Sequence, residues 1–173
     1  MVAVMMLMSV GAFAQAGKMA VGAHLGYAAY GNSYNPFGVG AKFQYEFVEN
    51  IRGELAGNYW FPKDKVGTWD ANLNFQYLFK AADDIKIYPL VGATLVGTHG
   101  LEDGNETAFG FNIGAGVEYY LEDNLKLNLD IKYQHAKKSK DFEEEVLGQK
   151  VTYSYDIIKV TGPVFQLGIA YVF

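Results

Sequence analysis

The sequence predicts an all-β fold, an eight-stranded antiparallel up-and-down barrel whose apolar face points outward. Three observations carry this. From Lys18 onward, apolar and polar residues alternate with period two in eight separate runs, the spacing of pleated strands with one apolar face. Half of the 173 residues are hydrophobic, yet the mean hydropathy is −0.00, so apolar residues are interleaved with polar ones. The joints between runs are alternately short and long.

Composition narrows the classes. Aromatic residues make up 16%, with 13 Tyr, and there are 20 Gly; this mixture suits strands and close backbone approach better than helices. Cysteine is absent, which removes a disulfide framework and thiolate metal sites. The net charge is −5 and the pI about 5.1, and no basic stripe of the kind that nucleic acid requires is present.

The first ten residues, Met1 to Val10, are almost wholly apolar, and Gly11-Ala12-Phe13-Ala14 follows. Ala12-Phe13-Ala14 reads as a signal-peptidase site with Gln15 as the new N-terminus, although a basic leader is missing. Residues 1–14 are therefore expected to be a signal peptide and residues 15–173 the barrel. A spanning helix needs about 20 apolar residues, more than any run here supplies, so a membrane-spanning reading must be a barrel.

The runs follow in order. Met19, Val21, Ala23, Leu25 and Tyr27 share one face, with His24 among the small residues opposite. Val39 to Phe47 alternates against Lys42, Gln44 and Glu46; Ile51 to Tyr59 against Arg52, Glu54 and Asn58. Trp69 to Phe79 alternates against Asp70, Asn72, Asn74 and Gln76. Ile87 to Leu95 is the least regular run, with Tyr88, Leu90 and Thr94 opposite. Phe109 to Tyr119 opposes Asn112, Glu118 and three glycines; Leu125 to Tyr133 opposes Lys126, Asn128, Asp130 and Lys132; Phe165 to Phe173 opposes Gln166. Each run has about ten residues, enough for a tilted strand to cross a bilayer. Val48 to Asn50, Ala81 to Asp84 and Glu122 to Asn124 are short, Asn- or Asp-bearing turns. Gly31 to Pro36, Pro62 to Thr68, His99 to Glu106 and Ala136 to Gly162 are the long joints, the last expected to form a protruding hairpin. This rhythm places the N-terminus in the periplasm and the long joints outside.

The side chains decide which face is outside. The apolar face carries bulky Leu, Ile, Phe, Tyr and Trp, which would overfill a small soluble barrel of the lipocalin kind. The opposite face carries Lys42, Glu46, Arg52, Glu54, Asp70, Glu118, Lys126, Asp130 and Lys132, both signs together, which reads as an ion-pair network filling a lumen; Lys42–Glu54 and Lys132–Glu118 are the expected pairings. A phrase recurs at the end of every second run: Tyr45 with Phe47, Tyr77 with Phe79, Tyr119, and Tyr171 with Phe173. It predicts a periplasmic aromatic girdle of Tyr45, Phe47, Tyr77, Phe79, Tyr119 and Tyr171.

On these runs, this joint rhythm and the closing phrase Phe165-Gln166-Leu167-Gly168-Ile169-Ala170-Tyr171-Val172-Phe173, the chain resembles the small outer-membrane barrels of the OmpX and OmpA-barrel type. The resemblance implies a Gram-negative outer-membrane location. It also implies that Phe165, Leu167, Ile169, Tyr171 and Phe173 form the signal read by the barrel-assembly machinery. The peptidoglycan-binding domain that usually follows OmpA-type barrels is not expected, since the sequence stops at Phe173.

Chemistry is sparse. His24 points to the lumen, His99 to a loop and His135 to the outer rim. Ser139, Ser154, Glu143 and Asp156 lie near enough in sequence to His135 for a Ser-His-acid set on a barrel wall, as in lipid A-modifying barrels, but such residues are ordinary in a polar loop. No metal-ligand spacing or phosphate-cradling Gly loop precedes a helix, so neither cofactor nor metal is expected. The function expected is non-enzymatic, structural or surface-interacting, with the lumen plugged by side chains; a narrow porin-like channel is the alternative. The partners expected are outer-membrane lipid and lipopolysaccharide, the assembly machinery, and a surface ligand at 136–162, where a basic block, Lys137-Lys138-Ser139-Lys140, precedes an acidic one. If the closing phrase is an assembly signal, changing Tyr171 and Phe173 together to Ser should leave unassembled protein in the periplasm, seen by fractionation; normal membrane yield of the double variant would contradict it.

Overall fold

The computed structural model describes residues 17–31, 35–63, 66–99, 106–146 and 149–173, with side chains placed throughout these except at 63, 66 and 140–155. The expected signal peptide lies outside the described residues. Nine segments form one sheet: β1 (Met19–Ala28), β2 (Phe37–Val48), β3 (Ile51–Lys63), β4 (Val66–Tyr77), β5 (Phe79–Lys80), β6 (Ile85–His99), β7 (Glu106–Glu122), β8 (Leu125–Val146) and β9 (Gln149–Val172). The two-residue β5 continues β4 past Leu78, so the wall has eight staves. Neighbours in the chain pair antiparallel throughout, β1 pairs with β9, and β4 pairs with β6. The sheet is thus a closed eight-stranded barrel, an up-and-down transmembrane fold without a free edge around its wall.

The closing seam is paired to its end. Met19 N donates to Phe173 O at 3.1 Å and Phe173 N to Met19 O at 2.9 Å, so the last residue of the closing phrase is locked into the wall. Asn50, at the tip of the β2–β3 turn, has φ of 68°, the left-handed conformation that Asn tolerates better than most residues. Glu46 Oε1 accepts the Asn50 N–H at 3.2 Å and closes this turn.

The alternation holds along every stave, and it is inside out. Leu55, Leu73, Val91, Ile113 and Leu167 are each more than half exposed on the outer wall, whereas Gln44, Asn72, Asn74, Asn112, Glu118 and Gln134 are fully buried in the lumen. Two aromatic belts bound the apolar band. At the short-turn end lie Tyr45 and Phe47 (ring centroids 5.0 Å apart), Tyr77 and Phe79 (4.7 Å), Tyr171 and Phe173 (6.2 Å), and Tyr119. At the other end lie Tyr27 with Phe37 (4.9 Å) and Tyr59 with Phe61 (6.2 Å), near Trp69. Ile51 sits beside Tyr77 in register, and from there to Tyr59 is about 26 Å along the strand. At the usual tilt this covers most of a bilayer's hydrocarbon thickness.

Two expectations about the joints need correction. Pro62 to Thr68 is mostly strand, because β3 runs to Lys63 and β4 starts at Val66. His99 is the last residue of β6 rather than part of a loop, and its ring stacks on Tyr59 at 6.0 Å. The 136–162 joint is the hairpin expected, an antiparallel ladder whose register runs to Val146–Gln149, with one irregularity between Lys138 and Ser139. The long side of the barrel is therefore built from strands that outrun the membrane. Above the Gly110–Ala136 pair, β8 pairs only with β9, making a hairpin of two strands.

Lumen packing is tight where aromatic rings turn inward. A Cβ on Gly116 would lie 2.5 Å from both the Tyr88 ring and Asp130 Oδ1, and one on Gly38 would lie 2.6 Å from the Trp60 ring. Both glycines are notches for these rings. Gly116→Val should displace Tyr88 and cost about 1–3 kcal/mol by overpacking, lowering the urea midpoint of the folded, faster-migrating gel band in lipid or detergent. A midpoint equal to the parent's would show that the notch is not used.

Candidate functional site

Four cations, Lys42, Arg52, Lys126 and Lys132, and four anions, Glu54, Asp70, Glu118 and Asp130, are buried in the lumen at 4% exposure or less. Their signs balance. Isolated charges in a barrel interior would be costly, but paired and hydrogen-bonded ones are tolerated. The groups fall into tiers.

In the tier nearest the short turns, Glu118 Oε2 accepts Arg52 Nη1 and Lys126 Nζ, each at 2.8 Å, and Tyr120 OH donates to Oε1 at 3.2 Å. Gln76 is the register partner of Arg52, and its Oε1 accepts Arg52 Nε at 2.6 Å. That bond aims the guanidinium across the lumen, where it also lies 5.0 Å from the Tyr88 ring centroid. Arg52 belongs to β3 and Glu118 to β7, so this ion pair joins staves that are not neighbours.

In the middle tier, Lys42 Nζ lies 2.6 Å from Asp130 Oδ2 and 3.6 Å from Glu54 Oε2. The register partners of Glu54 are Gln44 and Asn74, and both donate to it, at 2.7 and 3.0 Å. Tyr88 OH and Asn128 Nδ2 donate to Asp130 at 2.5 and 3.2 Å. Lys42 and Asp130 again tie opposite walls, β2 to β8.

The third tier gathers around Asp70 and His24. Asp70 accepts from Asn58 Nδ2 and Trp60 Nε1, each at 2.5 Å, and from Asn72 Nδ2. His24 Nε2 contacts Asn58 Oδ1 at 2.5 Å, and Gln166 Nε2 donates to the same oxygen at 2.8 Å. Above it, Gln134 donates to Thr94 at 2.9 Å and accepts from Tyr30 OH at 2.9 Å. The hairpin end of the lumen then becomes apolar: Ala28, Trp60 and Val164 form one cluster, Val96, Ala108, Ala136, Ile158 and Val160 another, with Tyr30 packed against both. At the short-turn end, the cavity between Gln44, Arg52, Tyr120 and Lys126 is about 10 Å³, room for one water at most.

Eight of the nine residues read as a lumen network therefore lie together in the lumen. Glu46 does not join them. It sits half-buried at the short-turn mouth, and its register partner Arg52 turns inward to Gln76 and Glu118 instead. The Lys42–Glu54 pairing is present, with Asp130 the nearer partner. Lys132 does not pair with Glu118: Glu118 is level with Asn128 and Lys132 with Gly114, an offset of about 13 Å along the strand. The residues read as the girdle and as the closing signal all lie on the outer wall, at least partly exposed. Sequence reasoning missed Trp60, Tyr30 and the apolar cap. Extending the period from Arg52 through Asn58 places Trp60 inward, but an inward Trp is unexpected on a polar face.

On the outer side of the hairpin base, Lys137 Nζ lies 3.0 Å from Asp156 Oδ1, and Ser139 Oγ donates to the same oxygen at 2.8 Å. Hydrogen bonds from Lys137 and then Ser139 hold the Asp156 carboxyl below its ordinary pKa. Lys138 Nζ reaches Glu106 Oε2 at 2.6 Å. His135 Nδ1 is 2.9 Å from Thr161 Oγ1, and its ring lies 5.4 Å from Phe111. Ser139 thus engages Asp156 and His135 engages Thr161; the side chains of Ser154 and Glu143 lie outside those described.

The sequence matches the family described as outer membrane protein beta-barrel domain over residues 1–173. No curated protein shows significant sequence similarity to it. Solved structures of like fold include the N-terminal β-barrel domain of OprF from Pseudomonas aeruginosa, at 16% identity, covering 91% of this chain and 98% of that one with a TM-score of 0.65. Outer membrane protein OprG of Pseudomonas aeruginosa is similar at 15% identity, with 91% and 96% covered and a TM-score of 0.66. Ail, the attachment invasion locus protein of Yersinia pestis, shares 15% identity, with 91% and 99% covered and a TM-score of 0.53. At these identities the likeness is one of fold.

Because Glu118 compensates two cations, removing its charge leaves both uncompensated. Glu118→Ala should destabilise the barrel by about 3–5 kcal/mol, read from urea titration of gel mobility, and Arg52→Met with Lys126→Met in the same chain should recover part of that loss. An additive, still less stable triple variant would contradict the pairing.

Proposed function

This chain belongs to the outer membrane protein β-barrel domain family, and from that premise we propose that it is a non-enzymatic barrel, its lumen sealed by its own side chains, which works through the β8–β9 hairpin and the outer wall. The observation that carries this reading is the pair of cross-lumen ties, Arg52–Glu118 and Lys42–Asp130. An eight-stranded barrel encloses room for side chains or one small ligand, and these ties span that room at two heights. The signs cancel, so no uniform field favours the passage of one kind of ion. The apolar clusters at the hairpin end add a dry constriction. A narrow channel would need a wider waist or one dominant charge.

The orientation proposed has the N-terminus and short turns in the periplasm and the hairpin outside, following the usual asymmetry of short inner turns and long outer extensions. Loops and extensions on a rigid scaffold are where such proteins place recognition. Phe165, Leu167, Ile169 and Tyr171 on the outward face of β9, with Phe173 just after it, form an unbroken apolar stripe, which we assign to recognition by the barrel-assembly machinery. A non-enzymatic role is favoured by the separation of His135 from Ser139, each of which is hydrogen-bonded elsewhere.

Planar-bilayer recording tests the sealed lumen. The parent protein should be silent, and Arg52→Ala should open small conductance steps by cutting one tie. Stable porin-sized steps from the parent would overturn the reading.

A further inference from the structure

On the outer wall, β8 and β9 climb out of the membrane in matched pairs. Ile131 faces Phe165, Tyr133 faces Pro163, His135 faces Thr161, and Lys137 faces Lys159. All eight side chains lie on the outward face, and each step rises by two residues, about 7 Å along the strand. The chemistry therefore runs from apolar, through aromatic and hydroxyl or imidazole, to paired cations. That is the order of groups in the outer half of a bilayer built from phosphorylated glycolipid: acyl chains, ester and sugar, then phosphate.

The cationic step is unusual for a sheet. Like charges directly opposite on one face repel, and their Cβ atoms lie only about 5 Å apart. Asp156 engages Lys137, at 3.0 Å. Lys159 is exposed, and among the described residues it has no ion pair within 4 Å. One step below, Thr161 holds His135 through Nδ1, and Phe111 flanks the ring, so the imidazole is fixed beneath the two ammonium groups.

We propose that His135, Lys137, Lys159 and Thr161 form a site for the phosphoryl group of a lipid A-type glycolipid packed against the wall. This deepens the proposed function and rests on its orientation, which puts the hairpin in the glycolipid leaflet. Two exposed lysines hold a free anion weakly, because water and salt screen them. A phosphate carried by a lipid differs. Its acyl chains lie against Ile131, Tyr133 and Phe165, which are 48%, 45% and 39% exposed, and this contact holds the headgroup at high local concentration. Two ammonium groups on adjacent strands can then each meet a phosphoryl oxygen, with charge-assisted hydrogen bonds.

The test is native mass spectrometry of the whole protein in detergent micelles, titrated with bis-phosphorylated lipid A, the same lipid with both phosphates removed, phosphatidylglycerol, or inorganic phosphate. The parent should retain one bis-phosphorylated lipid A. The Lys137→Met/Lys159→Met double variant, which keeps the apolar stems, should lose at least tenfold in affinity. The Lys137→Arg/Lys159→Arg variant should restore it, and inorganic phosphate should not bind. Heat-modifiable gel mobility checks that each variant is folded. Equal binding by the Met variant, by dephosphorylated lipid A or by phosphatidylglycerol would overturn the site. The orientation is read separately, by protease access to the hairpin on intact cells, so failure of one claim is distinguishable from failure of the other.

Discussion

Inside a bilayer, water is not available to the backbone, so every N–H and C=O of a strand must find a partner in another strand. The rest of this structure follows from that constraint. It forces the sheet to close, with β1 paired to β9 along the seam and Phe173 paired to Met19 at its end. Closure with eight staves fixes a narrow interior. The period of two then sends alternate residues into that interior, and the lipid outside takes the apolar set. The polar set has nowhere to go but inward, where it must satisfy itself.

The lumen solves this with cross-strand partners and cross-barrel ties of different kinds. Register neighbours such as Gln44 and Asn74 saturate Glu54, and Gln76 orients Arg52. Long side chains then reach over the axis, Arg52 to Glu118 and Lys42 to Asp130. Glycine notches admit the rings of Tyr88 and Trp60. The neutral local bonds position the ions, and the ions brace opposite walls. A buried ion pair is not by itself a large source of stability; its value here is geometric, since it fills a polar cross-section that no apolar side chain on this face could fill without wasting hydrogen-bonding groups. At the hairpin end, where strands leave the membrane, the interior turns apolar and the outer face turns cationic. There the outer face passes beyond the apolar band, and the inside-out rule relaxes.

Strand number, face and the membership of the lumen were legible in the sequence because a period of two is local: Glu118 and Asp130 point inward whatever their neighbours do. Partner choice was not legible, because it depends on register. Lys132 and Glu118 look complementary on adjacent staves, yet the β7–β8 register sets them four residues apart. Glu46 shares the inward phase, but a turn follows immediately, and the mouth of the barrel lets it cap Asn50. The joints misled for a related reason. Pro62 to Thr68 is polar enough to read as loop, and β strands beyond the membrane lose the apolar face that marks them within it. Trp60 was hidden by its character, since an indole on the polar face makes sense only once Asp70 is seen to accept its N–H at 2.5 Å.

The central claim is an inside-out wall around a closed, filled lumen. The chain has no cysteine, so single cysteines can carry spin labels along β4, one position at a time from Leu73 to Tyr77, in lipid bilayers. The account predicts that collision with oxygen, which concentrates in lipid, alternates along the strand: high at Leu73, Phe75 and Tyr77, low at Asn74 and Gln76. It also predicts that a water-soluble nickel reagent reaches none of the mid-membrane positions. Nickel access at Asn74 and Gln76 would mean a water-filled pore, and loss of the alternation would contradict the wall itself.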